Sequence, residues 1–196
     1  MIRFDAKGVF SVAVLALSAC SDGSTAPSSD LAEVDLAAMM GDGGTPIARG
    51  PECHFFARLD GRNEVPPRDT RARAVALLET EKNGTEIRFR AVTERLNNIT
   101  AAHLHLAPVG TNGPVVVPIA GLNAVVAAGT IKAASLTGPL AGMPLSALVD
   151  AMRAGNVYMN FHTDDGAPPP NTGPGDFPGG EIRGQVRALD PNCGGS

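Results

Sequence analysis

The chain has 196 residues and a formal net charge of −4, with 23 Gly, 16 Pro, one Tyr and no Trp. Its charges are scattered and form no basic stripe, which excludes nucleic-acid binding as a function class. Abundant Gly and Pro with few aromatics is the composition of short strands joined by frequent turns, and no apolar run is long enough for a transmembrane helix.

Residues 1–20 read as an export signal. Arg3 and Lys7 give a basic start, diluted by Asp5, and an apolar run from Val9 to Leu17 follows. That run has the length of a signal h-region and is too short to cross a bilayer. It closes in Leu17-Ser18-Ala19-Cys20, which resembles a bacterial lipobox. The resemblance implies cleavage before Cys20 and lipidation of its thiol, anchoring the mature chain in the cell envelope. Ser21 at the next position implies the outer membrane. Residues 21–51, rich in Ser, Asp, Gly and Pro, read as a flexible tether. Within it, Asp30–Met40 carries a weak helical pattern with an Asp30/Glu33 capping pair.

Residues 52–196 are then one domain, large enough to bury a normal core. With Cys20 lipidated, Cys53 and Cys193 remain as an even pair at the two ends of that domain. In an oxidising envelope compartment they are expected to form a disulfide. Closing so long a loop contributes about 3–5 kcal/mol in the loop-entropy view.

The elements of the domain read mostly as strands. Cys53–Asp60 alternates, with Phe55, Ala57 and Leu59 on one face. Arg73–Thr80 follows, then the Asn83-Gly84 turn signal, then Thr85–Glu94 with Ile87, Phe89 and Ala91 opposite Glu86, Arg88 and Arg90. Asn97-Asn98 turns the chain into Ile99–Ala107, and Val115–Ile119 comes after Asn112-Gly113-Pro114. Ala124–Ala134 is ambiguous, a small-residue strand broken at Gly129. Pro144–Ala154 predicts the one helix. Leu145, Leu148, Val149 and Met152 form its stripe, Pro144 suits its first turn and Gly155 its C-terminal cap. Val157–Thr163 and Gly180–Val186 are the last two strands. Seven or more short strands at this spacing predict a mainly β, antiparallel sandwich or Greek-key barrel with one short helix.

The last strands carry the chemistry. Val157, Met159 and Phe161 share one side of their strand, with Tyr158, Asn160 and His162 on the other. Glu181 and Arg183 likewise oppose Ile182, and His103 and His105 share a side opposite Leu104 and Leu106. If the three strands are neighbours, His103, His105, Asn160, His162, Glu181 and Arg183 form one polar face. Two readings of that face stay open. A Glu181–Arg183 ion pair with His–Asn hydrogen bonds would lock the last strand to the sheet. Alternatively His103, His105, His162 and Glu181 would be four ligands for zinc or copper. Arg183 counts against the second reading as a fixed positive charge near any cation. No spacing favours a paired-carboxylate hydrolase built on Glu64 and Glu181. Asp164, Asp165 and Asp176 lack the spacing of a calcium loop and read as a solvated turn. Four histidines in total are too few for a copper/zinc superoxide dismutase.

These landmarks together resemble the CHRD domain, the module named after chordin and also found in bacterial secreted proteins. The resemblance rests on the segment from Phe56 to Pro67 (FARLDGRNEVPP), on His103-Leu104-His105 and on the segment from Gly110 to Val115. It rests further on the segment from Gly155 to Thr163 and on the one from Gly179 to Gln185. They occur in family order over most of the folded part. The chain departs in the longer Pro/Gly-rich loop Asp164–Gly179 and in Arg71, where a Gly often follows the Pro-Pro turn. The resemblance implies an immunoglobulin-like β-barrel or sandwich. It leaves function to the site, because fold does not give function. Two function classes follow: a lipid-anchored, non-catalytic binding or structural module with a protein or ligand partner, or a zinc- or copper-binding protein using the histidine face.

Overall fold

The computed structural model describes residues 52–120, 122, 125–171, 173–190 and 193; the expected signal peptide, Cys20 and the tether lie outside them. Nine strands form one antiparallel sheet. They are β1 (His54–Asp60), β2 (Arg73–Glu81), β3 (Glu86–Glu94), β4 (Ile99–Leu106), β5 (Val115–Pro118), β6 (Val126–Ile131), β7 (Val157–Thr163), β8 (Ile182–Gln185) and β9 (Arg187–Ala188). Neighbours run β5-β4-β7-β8-β1-β2-β3-β6, with β9 beside β1. The sheet nearly closes into a barrel and carries a single α-helix among the described residues, α1 (Leu145–Arg153). The mainly β antiparallel architecture expected from the alternation is the one observed.

Alternation decides what fills the core. Phe55, Ala57 and Leu59 of β1, Ala74, Ala76 and Leu78 of β2, and Ile87, Phe89 and Ala91 of β3 are all buried. Between them, Arg58, Val75, Leu77, Arg88 and Arg90 stay exposed. Each large apolar side chain withdrawn from water in this way contributes about 1.5–3 kcal/mol. The β2–β3 hairpin turns through Lys82, Asn83 and Gly84, all with positive φ (50°, 58° and 82°), which Asn and Gly tolerate.

Two local expectations resolve in the structure. The ambiguous stretch forms β6, and Gly129 does not break it. Gly129 pairs with Phe89, and a Cβ there would come within 3.0 Å of the Phe89 ring, so the missing side chain makes room for the aromatic. The helix buries Leu145, Leu148, Val149 and Met152. It ends at Gly155 (φ +71°) in a Schellman motif, Asn156 N–H donating to Ala151 O and Gly155 N–H to Met152 O. That cap launches β7 directly.

Strands β4, β7 and β8 differ from β1–β3 because loops cover their outer face. Every residue of β7 is buried except His162, which is half-buried. The covering loops are tied down by Asn63 Nδ2 donating to Arg183 O, by Arg183 donating to Thr111 O, and by the Nδ1 of His105 on Gly113 O. The polar face of these strands is therefore a largely covered layer, with His105, Asn160 and Arg183 buried and His103 and His162 half-buried.

Candidate metal centre

Sheet order creates the site. β7 lies between β4 and β8, with His103 opposite Asn160 and Asn160 opposite Arg183. The next row is His105, Tyr158 and Gln185, while His162 pairs with Ala101, diagonal to His103. The register irregularity between β4 and β7 falls between Ile99 and Ala101, before the histidines, so all three imidazoles keep one face.

The three rings converge. His103 and His162 centroids are 4.8 Å apart at 67°, and His103 and His105 are 5.5 Å apart at 79°. One ring nitrogen of each lies within 4.8 Å of the others. His103 Nδ1 and His162 Nε2 are 3.1 Å apart, close to the roughly 3.3 Å separating two nitrogens each about 2.0 Å from a tetrahedral ion.

Backbone carbonyls choose the tautomers. His105 Nδ1 is 2.8 Å from Gly113 O, and His162 Nδ1 is 2.8 Å from Pro178 O. A carbonyl oxygen only accepts, so both Nδ1 atoms carry protons, and in His105, whose pKa burial lowers, Nε2 keeps its lone pair. This is the outer-shell arrangement that orients metal-binding imidazoles. His105 Nε2 is buried without a hydrogen bond. Burial, together with His162 and His105, lowers the pKa of His103 to about 4. Burial also lowers that of His105, outweighing the Gly113 carbonyl. Both rings are neutral at neutral pH, the form that can donate electrons to a cation.

The remaining polar residues divide between this centre and other tasks. Asn160 is buried beside it, Oδ1 3.2 Å from His162 Nε2. Arg183, only 2 % exposed, turns away to Asn112 Oδ1 (3.0 Å), Thr111 O (2.7 Å) and Pro108 O (3.4 Å). Its guanidinium lies 3.4 Å from the Tyr158 ring centroid, and His105 stacks on that same ring at 4.7 Å and 5°. Tyr158 on the middle strand thus screens the cation from the imidazoles, and Gly113 N–H donates to its hydroxyl at 3.3 Å.

Glu181 is a correction to the four-ligand set and to the expected Glu181–Arg183 pair. It is fully buried, but its carboxylate accepts from Thr70 Oγ1 (2.6 Å), Thr163 Oγ1 (2.6 Å) and Gly175 N (2.9 Å). Those donors sit where β8 begins and the long loop returns, and they draw the side chain off the histidine face. The acidic group that does border the face is Glu64, from the loop after β1. It is 5 % exposed with Oε1 unbonded, and burial raises its pKa to about 7. Glu64 Oε1 and Asn160 Nδ2 both crowd Gly180 (φ +117°), where a Cβ would meet them at 2.6 and 3.0 Å. The only sequence signal for Glu64 is its place before Val65-Pro66-Pro67.

Asp164, Asp165 and Asp176 gather at the head of the long loop, where Asp164 and Asp165 accept from the backbone N–H of Gly166 and Ala167. Cys53 and Cys193 are both buried thiols in this structure. They hydrogen-bond to each other, and Arg153 Nη2 donates to Cys53 Sγ at 3.3 Å. Burial raises the pKa of the Cys193 thiol.

Comparison with known proteins bears on the family. Neither the curated proteins nor the solved structures contain a match to this chain. The model of the CHRD domain matches residues 55–186, which span β1 to the end of β8 and include all three clustered histidines. The family points to a non-enzymatic binding or structural module. With two-thirds of its length matched, the chain belongs to the CHRD domain family.

Proposed function

We propose that this chain is a lipid-anchored protein of the bacterial outer membrane whose CHRD domain is a non-catalytic module binding one zinc or copper ion. The observation that carries the metal reading is the tautomer pattern. The carbonyls of Gly113 and Pro178 take the Nδ1 protons of His105 and His162, so Nε2 is the nitrogen each of these rings can offer to the three-histidine cluster. A purely structural network would put a donor on the buried His105 Nε2, and none is there. Three imidazoles suit zinc and copper better than calcium or magnesium, which take oxygen ligands. Asn160 and Glu64 border the cluster, and Glu64, once ionised, would offset part of the ion's charge.

The anchor reading is supported by Leu17-Ser18-Ala19-Cys20 and the tether behind it. A single acyl-type signal seldom holds a protein to a bilayer, whereas the multiple chains of a lipidated N-terminal Cys do. Mass spectrometry of the mature protein tests it; an unmodified N-terminus away from Cys20 refutes it.

For the metal, the untagged protein is stripped with chelator, titrated with Zn(II) or Cu(II) and analysed for bound metal. One equivalent is expected at micromolar protein, lost in His103→Ala and in His162→Ala. A wild-type protein that retains no stoichiometric metal refutes the reading. Binding should weaken as pH falls towards about 4, where protons compete for His103.

A further inference from the structure

On the outer face of the barrel, next to the histidine layer but lined by none of its histidines, lies an open trough of about 450 Å3. Its floor is the end of β1 and β8, where Gly184 lets the strands close up; a Cβ there would lie 2.4 Å from Arg58 O. One wall is the loop after β1 and the other the loop after β4. Asn112 Nδ2 donating to Val65 O at 2.8 Å bridges the two.

The lining has a definite chemistry. Phe56, Val65, Pro67 and Val109 supply apolar surface, with Val109 65 % exposed. Four arginines, Arg58, Arg62, Arg183 and Arg187, line the same space. Arg62 is held by Asp60 at 2.9 Å, and Arg183 is committed to neutral oxygens. Arg58 and Arg187 are exposed and make no ion pair among the described residues. The only carboxylate in the lining is Glu64, buried and half-protonated near neutral pH. In a chain of net charge −4, this concentration of cation beside apolar wall is local and one-sided.

We propose that this trough binds a small soluble organic phosphate, its dianionic head between Arg58 and Arg187 and its carbon body against Phe56, Val65 and Val109. Two unpaired guanidiniums match the two charges of a phosphate monoester, and planar forks bond its oxygens bidentately. The volume is in the range of sites for ligands of that size. The inference is independent of the metal reading, because no imidazole lines the trough.

Phenyl phosphate, inorganic phosphate and phenol are titrated into the full chain by calorimetry, beside Arg58→Gln/Arg187→Gln. Both positions are exposed, so the variant should fold, and its metal stoichiometry serves as a control. Phenyl phosphate is expected to bind at least tenfold more tightly than inorganic phosphate or phenol, and the double variant should lose at least tenfold in affinity. Raising salt should weaken binding. No binding of phenyl phosphate at millimolar concentration, or equal binding by the variant, overturns the proposal. So does sedimentation with phosphatidylglycerol but not phosphatidylcholine vesicles in the absence of phenyl phosphate binding, which would make the trough a lipid contact.

Discussion

His105 lies flat on Tyr158, ring centroids 4.7 Å apart and planes within 5°, and the Arg183 guanidinium covers the same tyrosine at 3.4 Å. The tyrosine thus fixes the imidazole plane and separates it from a buried cation. Tyr158→Phe keeps both stacks and loses only the 3.3 Å bond from Gly113 N–H, so it should cost about 1 kcal/mol. Tyr158→Leu removes both stacks and should cost about 2–3 kcal/mol in urea denaturation. If the two variants have the same stability, the stack does not support the layer.

Glu181 anchors the long loop. Its carboxylate accepts two hydroxyl bonds of 2.6 Å and one amide bond of 2.9 Å while fully buried. Glu181→Gln puts an NH2 where one set of donors points. It should destabilise the domain by about 2–3 kcal/mol and speed hydrogen exchange around Gly175 and Phe177. Metal uptake should persist, because this carboxylate is not in the histidine cluster. Loss of metal in a folded Glu181→Gln protein would restore the four-ligand set.

Glu64 makes stability pH-dependent. Its pKa is raised by burial from 4.5 to about 7, so the folded protein binds a proton that the unfolded chain has released between those values. Stability should therefore fall as pH rises from about 4.5 to 7, and the cost is fully present above pH 7. It amounts to about 3 kcal/mol at most. Glu64→Gln should raise the melting temperature of metal-free protein at pH 8 and change it little at pH 4. An equal effect at both values would place Glu64 in an ordinary solvated environment.

Cys53 and Cys193 are buried neighbours in hydrogen-bond contact. Protein recovered from an oxidising compartment should show the Cys53–Cys193 peptide pair in a non-reducing map. Cys53→Ser and Cys193→Ser should each remove a few kcal/mol, with little added by the double variant because either change breaks the link. Two free thiols in the map would leave the pair as a reduced contact beside Arg153.

The strands and their faces were readable from residue order because a β-strand has a side-chain period of two. Once Phe55, Ala57 and Leu59 go inward, Phe56 and Arg58 must go out, and the same rule puts His103 and His105 together. The helix was equally plain, since Leu145, Leu148, Val149 and Met152 lie on one stripe and Gly155 takes the left-handed cap. Which strands are neighbours is a different kind of fact. β4 and β7 are separated by β5, β6 and α1 along the chain, and no local rule dictates that they pair. That long-range pairing is what brings His162 to His103. Nor does periodicity say what covers a face: loops from three separate segments turn an apparent exterior into a largely covered layer. Alternation places Glu181 on the histidine side, yet three donors from Thr70, Thr163 and Gly175 compete for its carboxylate and win, because a buried charge goes where its hydrogen bonds are. Glu64 reaches the layer from a loop, where side-chain direction follows from tertiary contacts and not from any repeat in the chain.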